Sequence, residues 1–273
     1  MSAPPAVAAR TTDGAVAARA RRTRRLRDAV PVVLGALHFL GAWKLVVLLG
    51  AYPTFILPAP EVVAARFWSA WTDGTMWPHT ASTLSEIVLG FLVGASTAIG
   101  VGILLARSRF AERVLSPYLV AAQATPILAL APLIALWFGT GLLSKVVICA
   151  LIVFFPVAIA TMVGIRGVDR RLLEMARAFR ATRRQQLLRV EVPAALPAIL
   201  GGIRVGVTLA VIGAIIGEWA GGERGLGVLI NLARGSLFDT PLLFATLLTI
   251  ALIGIALYLL TLAVERRLVG VRG

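Results

Sequence analysis

Residues 169–193, DRRLLEMARAFRATRRQQLLRVEVP, form a basic, partly amphipathic stretch set between two long apolar runs. Asp169 can cap a following helix by accepting from its free N–H groups, and Leu172, Leu173, Ala176 and Phe179 recur at helical spacing on one face. Thr182, with Gln185 three residues on, fits a capping box, so a second short helix starts there and carries Leu187, Leu188 and Val190 until Pro193 stops it. Arg170, Arg171, Arg177, Arg180, Arg183, Arg184 and Arg189 crowd the stretch against only Asp169, Glu174 and Glu191. Too polar to cross a bilayer, such a segment faces the cytoplasm, where lysine and arginine accumulate.

The rest of the chain is apolar. Of its 273 residues 59% are hydrophobic, and the mean hydropathy is +0.89, well beyond an ordinary soluble domain. The expected fold class is an all-α membrane protein. A net charge of +14 sits at the ends of apolar runs rather than on one folded face, so nucleic acid is not an expected partner. One cysteine excludes an intrachain disulfide, and no Cys/His cluster has metal-ligand spacing. Neither a metal nor another cofactor is expected.

Residues 1–28 read as a disordered basic cytoplasmic tail, residues 29–268 as the membrane domain with its cytoplasmic loop at 166–196, and residues 269–273 as a short C-terminal tail. Six spans are expected. The first covers Ala29 to Gly50, with Lys44 snorkelling outward and His38 bonding between helices. After Leu57-Pro58-Ala59-Pro60, an interfacial segment carries Phe67, Trp68 and Trp71. The second span, Ala81 to Ala106, places Gly90, Gly94, Ala98 and Gly102 on one close-packing face. The third, Leu115 to Phe138, contains Pro117, Pro126 and Pro132 and is expected to bend, and the fourth runs from Lys145 to Ile165. Pro197 to Trp219 carries Gly202, Gly206, Gly213 and Gly217 as a second small-residue face. Residues 221–240 read as an outer loop, and the sixth span starts at Thr240 and ends inside at Glu265, Arg266 and Arg267.

Charge tests this topology. Of 27 lysines and arginines, seven fall in the tail, three at 107–113, eight at 166–196 and three after 265, all on one side. Both termini are therefore expected in the cytoplasm.

The central stretch resembles the cytoplasmic loop of ABC importer permeases: Glu174-Met175-Ala176, three residues, Arg180, nine residues, then Val190-Glu191-Val192-Pro193. The family pattern has Ala for Met175, Gly for Arg180, and Ile and Leu for Val190 and Val192. A residue with a Cβ enters the turn conformation normal for that glycine at a cost of roughly 1 to 2 kcal/mol. Leu89-Gly90-Phe91, Trp137-Phe138-Gly139 with Ser144-Lys145, Phe154-Phe155-Pro156 and Gly225-Leu226-Gly227 are similar to the nitrate, sulfonate and taurine branch, which includes importers of thiamine-precursor pyrimidines and riboflavin. The resemblance covers roughly residues 55–268 and implies a type I importer fold whose coupling helices engage a cytoplasmic ATP-binding subunit. It also implies an extracytoplasmic solute-binding protein, a permease homodimer in membrane lipid, and a cell-membrane location. The coupling residues it implies are Glu174, Met175, Ala176, Phe179, Arg180, Val190, Val192 and Pro193, with an apolar face around Ala176 and Phe179 entering the ATPase.

Gln123, Thr125 and Glu218 lie in or beside spans and are candidate pathway residues, set against plain helix-to-helix hydrogen bonding. Glu86 is an acid inside the second span, where related permeases often have a basic residue. It is expected to face a cation on another helix or the binding protein. No phosphate-cradling loop occurs, so ATP must act through a partner. An ATPase-independent carrier or channel lacks an expected acid–base pair at mid-membrane, and an intramembrane enzyme lacks convergent catalytic groups.

Overall fold

A computed structural model of the protein describes residues 30–31 and 33–270. The tail assigned to residues 1–28 lies outside them, as do residues 271–273. The chain divides into two units, residues 1–64 and 65–273.

The first unit contains helix α1, Val33–Gly50, apolar apart from His38 and Lys44. Lys44 does not end in solvent alone: its ammonium pairs with Glu61 in the opening turn of α2, Pro60–Thr72. Pro60 starts that helix, as its preset φ and missing N–H favour.

The second unit is built on three long helices, α3 (Met76–Arg107), α6 (Leu142–Arg166) and α9 (Val192–Ala220). α6 is the middle member, its two flanks taken by the small-residue faces of the others. A Cβ added at Gly94 on α3 would lie 2.6 Å from the Ala150 carbonyl oxygen, and one at Gly213 on α9 would lie 2.8 Å from the Cys149 Cα. Adjacent residues of α6 thus touch backbone on opposite sides. Cys149, Val153 and Val157 are fully buried in the resulting core with Ile87, Ala98, Ala210 and Ala214. In lipid, where apolar burial supplies little drive, this close van der Waals fit holds the helices together.

α4 (Arg109–Ala124) and α5 (Ile127–Phe138) are the expected third span, broken by 99°. Pro117 and Pro132 stay inside their helices. Pro126, having no N–H, stands at the break, and Thr125 before it is extended, with φ −78° and ψ 125°. α11 (Thr240–Val269) completes the set of long helices. Counting the bent pair once, the described residues contain six candidate spans.

Two expectations are corrected. Pro193 does not stop a helix. The chain continues from α8 (Arg183–Gln186) through a π-turn at Leu187–Glu191 into α9, as one apolar helix from Arg183 to Ala220. The Val192 N–H reaches back to the Leu187 carbonyl, and Pro193 follows in the first turn of α9, where its missing N–H does least harm. The outer loop at 221–240 is likewise not a plain loop: it holds α10, Leu226–Gly235. Leu226, Leu229 and Ala233 from α10 are buried with Met76, Leu242 and Ala245 in a second core. Asp239 caps α11 by accepting from the Leu242 N–H at 2.9 Å and binds Arg66 at 2.8 Å.

Candidate functional site

α7, Arg170–Ala178, is the first helix of the basic turn. Asp169 accepts from the Arg171 N–H at 2.9 Å and starts it. Its end is a Schellman closure, with Ala181 N–H on the Ala176 carbonyl at 3.0 Å and Arg180 N–H on the Arg177 carbonyl at 2.8 Å. This closure demands a left-handed residue at position 180, and Arg180 adopts φ +54°. The arginine therefore accepts the conformation that glycine would take. α8 opens on the reciprocal box read from the sequence, with Gln185 N–H on Thr182 Oγ1 at 3.3 Å and Thr182 N–H on Gln185 Oε1 at 2.8 Å.

The two sides of α7 differ from the expected single apolar face. Ala176 is buried, and Leu173 packs with Ile165, Val168, Ala195 and Ile199. Phe179 is 82% exposed, with Leu172 and Met175 exposed on the same outward stripe. Helical spacing explains the split, since residues 172, 175 and 179 follow one face while 173 and 176 follow another. Glu174 is exposed and borders a recess of about 310 Å³ with Arg170, Leu173 and Arg177. Val190, Val192 and Pro193 are partly buried in and after the π-turn.

The turn is tied to the helix bundle by arginines. Arg166 forms a two-pronged pair with Glu112 at 2.6 and 2.7 Å and also donates to the Leu105 carbonyl at 2.7 Å. Arg107 reaches the Arg183 carbonyl and lies 3.7 Å from buried Glu191, which accepts from Gln186 at 2.7 Å. Arg204 pairs with Glu265 on α11 and stands over the Tyr258 ring at 5.9 Å. These contacts join the ends of α3, α4, α6, α9 and α11 to the segment that carries α7.

The candidate pathway residues separate into two places. Gln123 and Thr125 lie at the α4–α5 break and line a cavity of about 350 Å³ with Pro126, Phe155, Pro156 and Leu209. Gln123 and Phe155 also line a second cavity of about 220 Å³ that extends past Ser116 and Met162. No charged side chain lines either cavity. The Thr125 hydroxyl donates to the Ala121 carbonyl at 3.0 Å. Glu218 is elsewhere, in the last turn of α9, and 2% exposed. It accepts from the Thr83 hydroxyl and the Gly227 N–H, both at 2.5 Å.

Glu86 is 1% exposed and receives the Lys145 ammonium at 2.8 Å and the Ser82 hydroxyl at 3.0 Å. Lys145, though part of a quoted motif, and Thr83 and His79 were given no site role from the sequence. A signal for Lys145 was present: it is one of six cations outside the inner segments and opens an apolar run, while Glu86 is the only acid of the second span. The acid–base pair near one end of α3 and α6 also qualifies the argument against a carrier, which rested on the absence of such a pair at mid-membrane.

Residues 98–270 match the protein family described as binding-protein-dependent transport system inner membrane component. The riboflavin transport system permease protein RibX of Chloroflexus aurantiacus is 48% identical over 88% of this chain and 88% of its own. The formylaminopyrimidine transport permease protein ThiX of Halalkalibacterium halodurans is 34% identical over 85% and 92%, respectively. Among solved structures, an inward-facing MetNI methionine ABC transporter aligns with a TM-score of 0.63 at 20% identity, covering 71% of this chain and 98% of the other.

Proposed function

The chain belongs to the binding-protein-dependent transport system inner membrane components, and from that premise we propose that α7 is the handle by which a separate ATPase drives it. It is the multi-pass permease subunit of an ATP-binding-cassette importer: a solute-binding protein delivers the solute and a partner chain hydrolyses ATP. The observation that carries the coupling reading is the stripe of Leu172, Met175 and Phe179, exposed on a helix whose opposite side is anchored in the bundle. Apolar side chains held out of the bundle among arginines suit a groove on another protein. Glu174, Arg180, Val190 of the π-turn and Val192 and Pro193 just after it set the pose of that stripe, and Ala176 supports it from beneath.

Two copies of this chain form the translocation unit, with the exposed α5 residues Leu133, Leu136 and Trp137 and the adjoining cavity turned toward the second copy. Lipid covers the exposed apolar residues of α11. Both termini are cytoplasmic, as the arginine distribution supports. Gln123 and Thr125 line the path. The uncharged cavity with Phe155 favours a planar, uncharged solute of the kind named for the riboflavin and formylaminopyrimidine relatives over a small anion, which would meet no cation there.

The test is Phe179→Asp in the full importer reconstituted with its ATPase and binding protein. Because the side chain lies outside the bundle, insertion and thermal stability should hold while ATPase co-purification and ATP-driven uptake fall at least tenfold. Uptake and co-purification at wild-type levels would refute the handle.

A further inference from the structure

Two short motifs, Ser144-Lys145 and Gly225-Leu226-Gly227, converge with Glu86 and Glu218 on one buried cluster away from both the coupling turn and the cavities. The segment between α9 and α10, residues 221–225, crosses there as a strap over the ends of α3 and α6. From beneath, Lys145 donates to the Arg224 carbonyl at 3.2 Å, and Ser82 Oγ lies 3.5 Å from the same oxygen. The Leu226 N–H donates to Thr83 Oγ1 at 2.8 Å, and His79 Nδ1 lies 2.8 Å from the Gly225 carbonyl and 3.1 Å from its N–H. Gly225, at φ +138°, passes so close that a Cβ would occupy the Glu218 carboxyl. Glu223 and Arg224 point their side chains outward.

The hydrogen bonds do not close unless one proton is added. Glu86 gives Oε1 to Lys145 and Ser82, but its Oε2 is buried with no hydrogen-bond partner. The Glu218 carboxyl is buried in the same cluster and already receives donors on both oxygens, from Thr83, one turn before Glu86, and from Gly227. Two buried carboxylates and one buried ammonium would leave an uncompensated negative charge. A proton between the acids supplies the missing donor and brings the group to neutrality.

We infer that Glu86, Lys145 and Glu218 form a charge-neutral clamp, with one proton shared by the two acids, which fastens the strap and α10 to α3, α6 and α9 so that they move as one body. Lys145 and Glu86 are then positioning residues: they act through the strap and not on the solute. Glu218 belongs to this clamp and not to the path.

The clamp predicts unequal responses from two acids of equal burial. In the complete reconstituted importer, Glu218→Gln, which keeps shape and a donor, should leave uptake within twofold of wild type. Glu86→Gln, which leaves Lys145 without a counter-charge, should lower it more than tenfold, and adding Lys145→Met should recover at least part of that loss. Infrared difference spectra of the purified permease should show a protonated carboxyl band that Glu218→Gln removes, a signature that packing alone would not produce. Equal loss from the two glutamines, or no such band, overturns the shared proton. A Thr140→Cys/Gly221→Cys pair in a Cys149→Ser background, whose Cβ atoms would lie 3.3 Å apart, tests the single body without reference to protonation. Oxidation should leave uptake unchanged if the clamp stays shut through the cycle, whereas reversible loss of uptake on oxidation overturns it. The spectroscopic result does not depend on the importer reading, so failure of uptake in every variant including wild type would count against that reading alone.

Discussion

Arg180 shows how one residue carries a family pattern under strain. Its φ of +54° places a Cβ in the left-handed region, and both Schellman hydrogen bonds depend on that conformation. Arg180→Gly should therefore stabilise the permease by about 1 kcal/mol, seen as a higher unfolding midpoint in detergent. Arg180→Val should lower the midpoint, since a β-branched residue fits the left-handed region worst. A midpoint that falls for the glycine variant would mean that the guanidinium contributes more than the backbone strain costs. The glycines between α3 and α6 behave in the opposite sense. At Gly94 a leucine must displace the Ala150 backbone, so Gly94→Leu should cost about 3 kcal/mol or more and reduce the yield of folded protein. Both residues stood out in the sequence, one as an arginine where the family pattern, matched in spacing, has glycine, and the other by recurring every fourth position. What the sequence withheld at this scale was the partner: Glu86 was conspicuous, but only packing brings Lys145 of α6 to within 2.8 Å of it.

Among the elements, the capped starts of α7 and α8 were legible because Asp169, Thr182 and Gln185 act over three residues or fewer. The end of α8 was not. Proline usually terminates a helix by removing a donor, and nothing local shows that a π-turn at Leu187–Glu191 will let the helix run on. α10 was hidden for another reason. It has ten residues, begins after glycine, and is fixed by Met76, Leu242 and Ala245 from distant parts of the chain. The bend of the third span was expected from its prolines, though its 99° size was not. That bend exposes Gln123 and Thr125 to the cavity, where the proposed path would run. Pro126→Ala restores an N–H and removes the clash that keeps Thr125 extended, so it should straighten the pair. Assembly with the ATPase should survive while uptake falls severalfold. Full uptake by this variant would detach the break from the path.

For the whole molecule, α3 serves as a ruler between the basic turn and the strap. Arg107 binds the Arg183 carbonyl at one end, and Ser82 contacts the Arg224 carbonyl near the other. At 1.5 Å per residue, the helix between these positions is about 38 Å long, more than the roughly 30 Å of a hydrocarbon core. The basic turn and the strap must therefore emerge on opposite faces of the membrane, whichever way the protein is inserted. The arginine distribution then selects the insertion, because the turn carries eight basic residues between 166 and 196 while the strap carries one, Arg224. Cysteine labelling can read this directly, since the single native thiol, Cys149, is buried and gives little background. Arg180→Cys should react with a membrane-impermeant maleimide only in inside-out vesicles, and Glu223→Cys only in right-side-out vesicles. Labelling of both from one side would break the ruler, and labelling with the sides exchanged would keep the ruler but place the ATPase handle where no nucleotide-hydrolysing subunit could reach it.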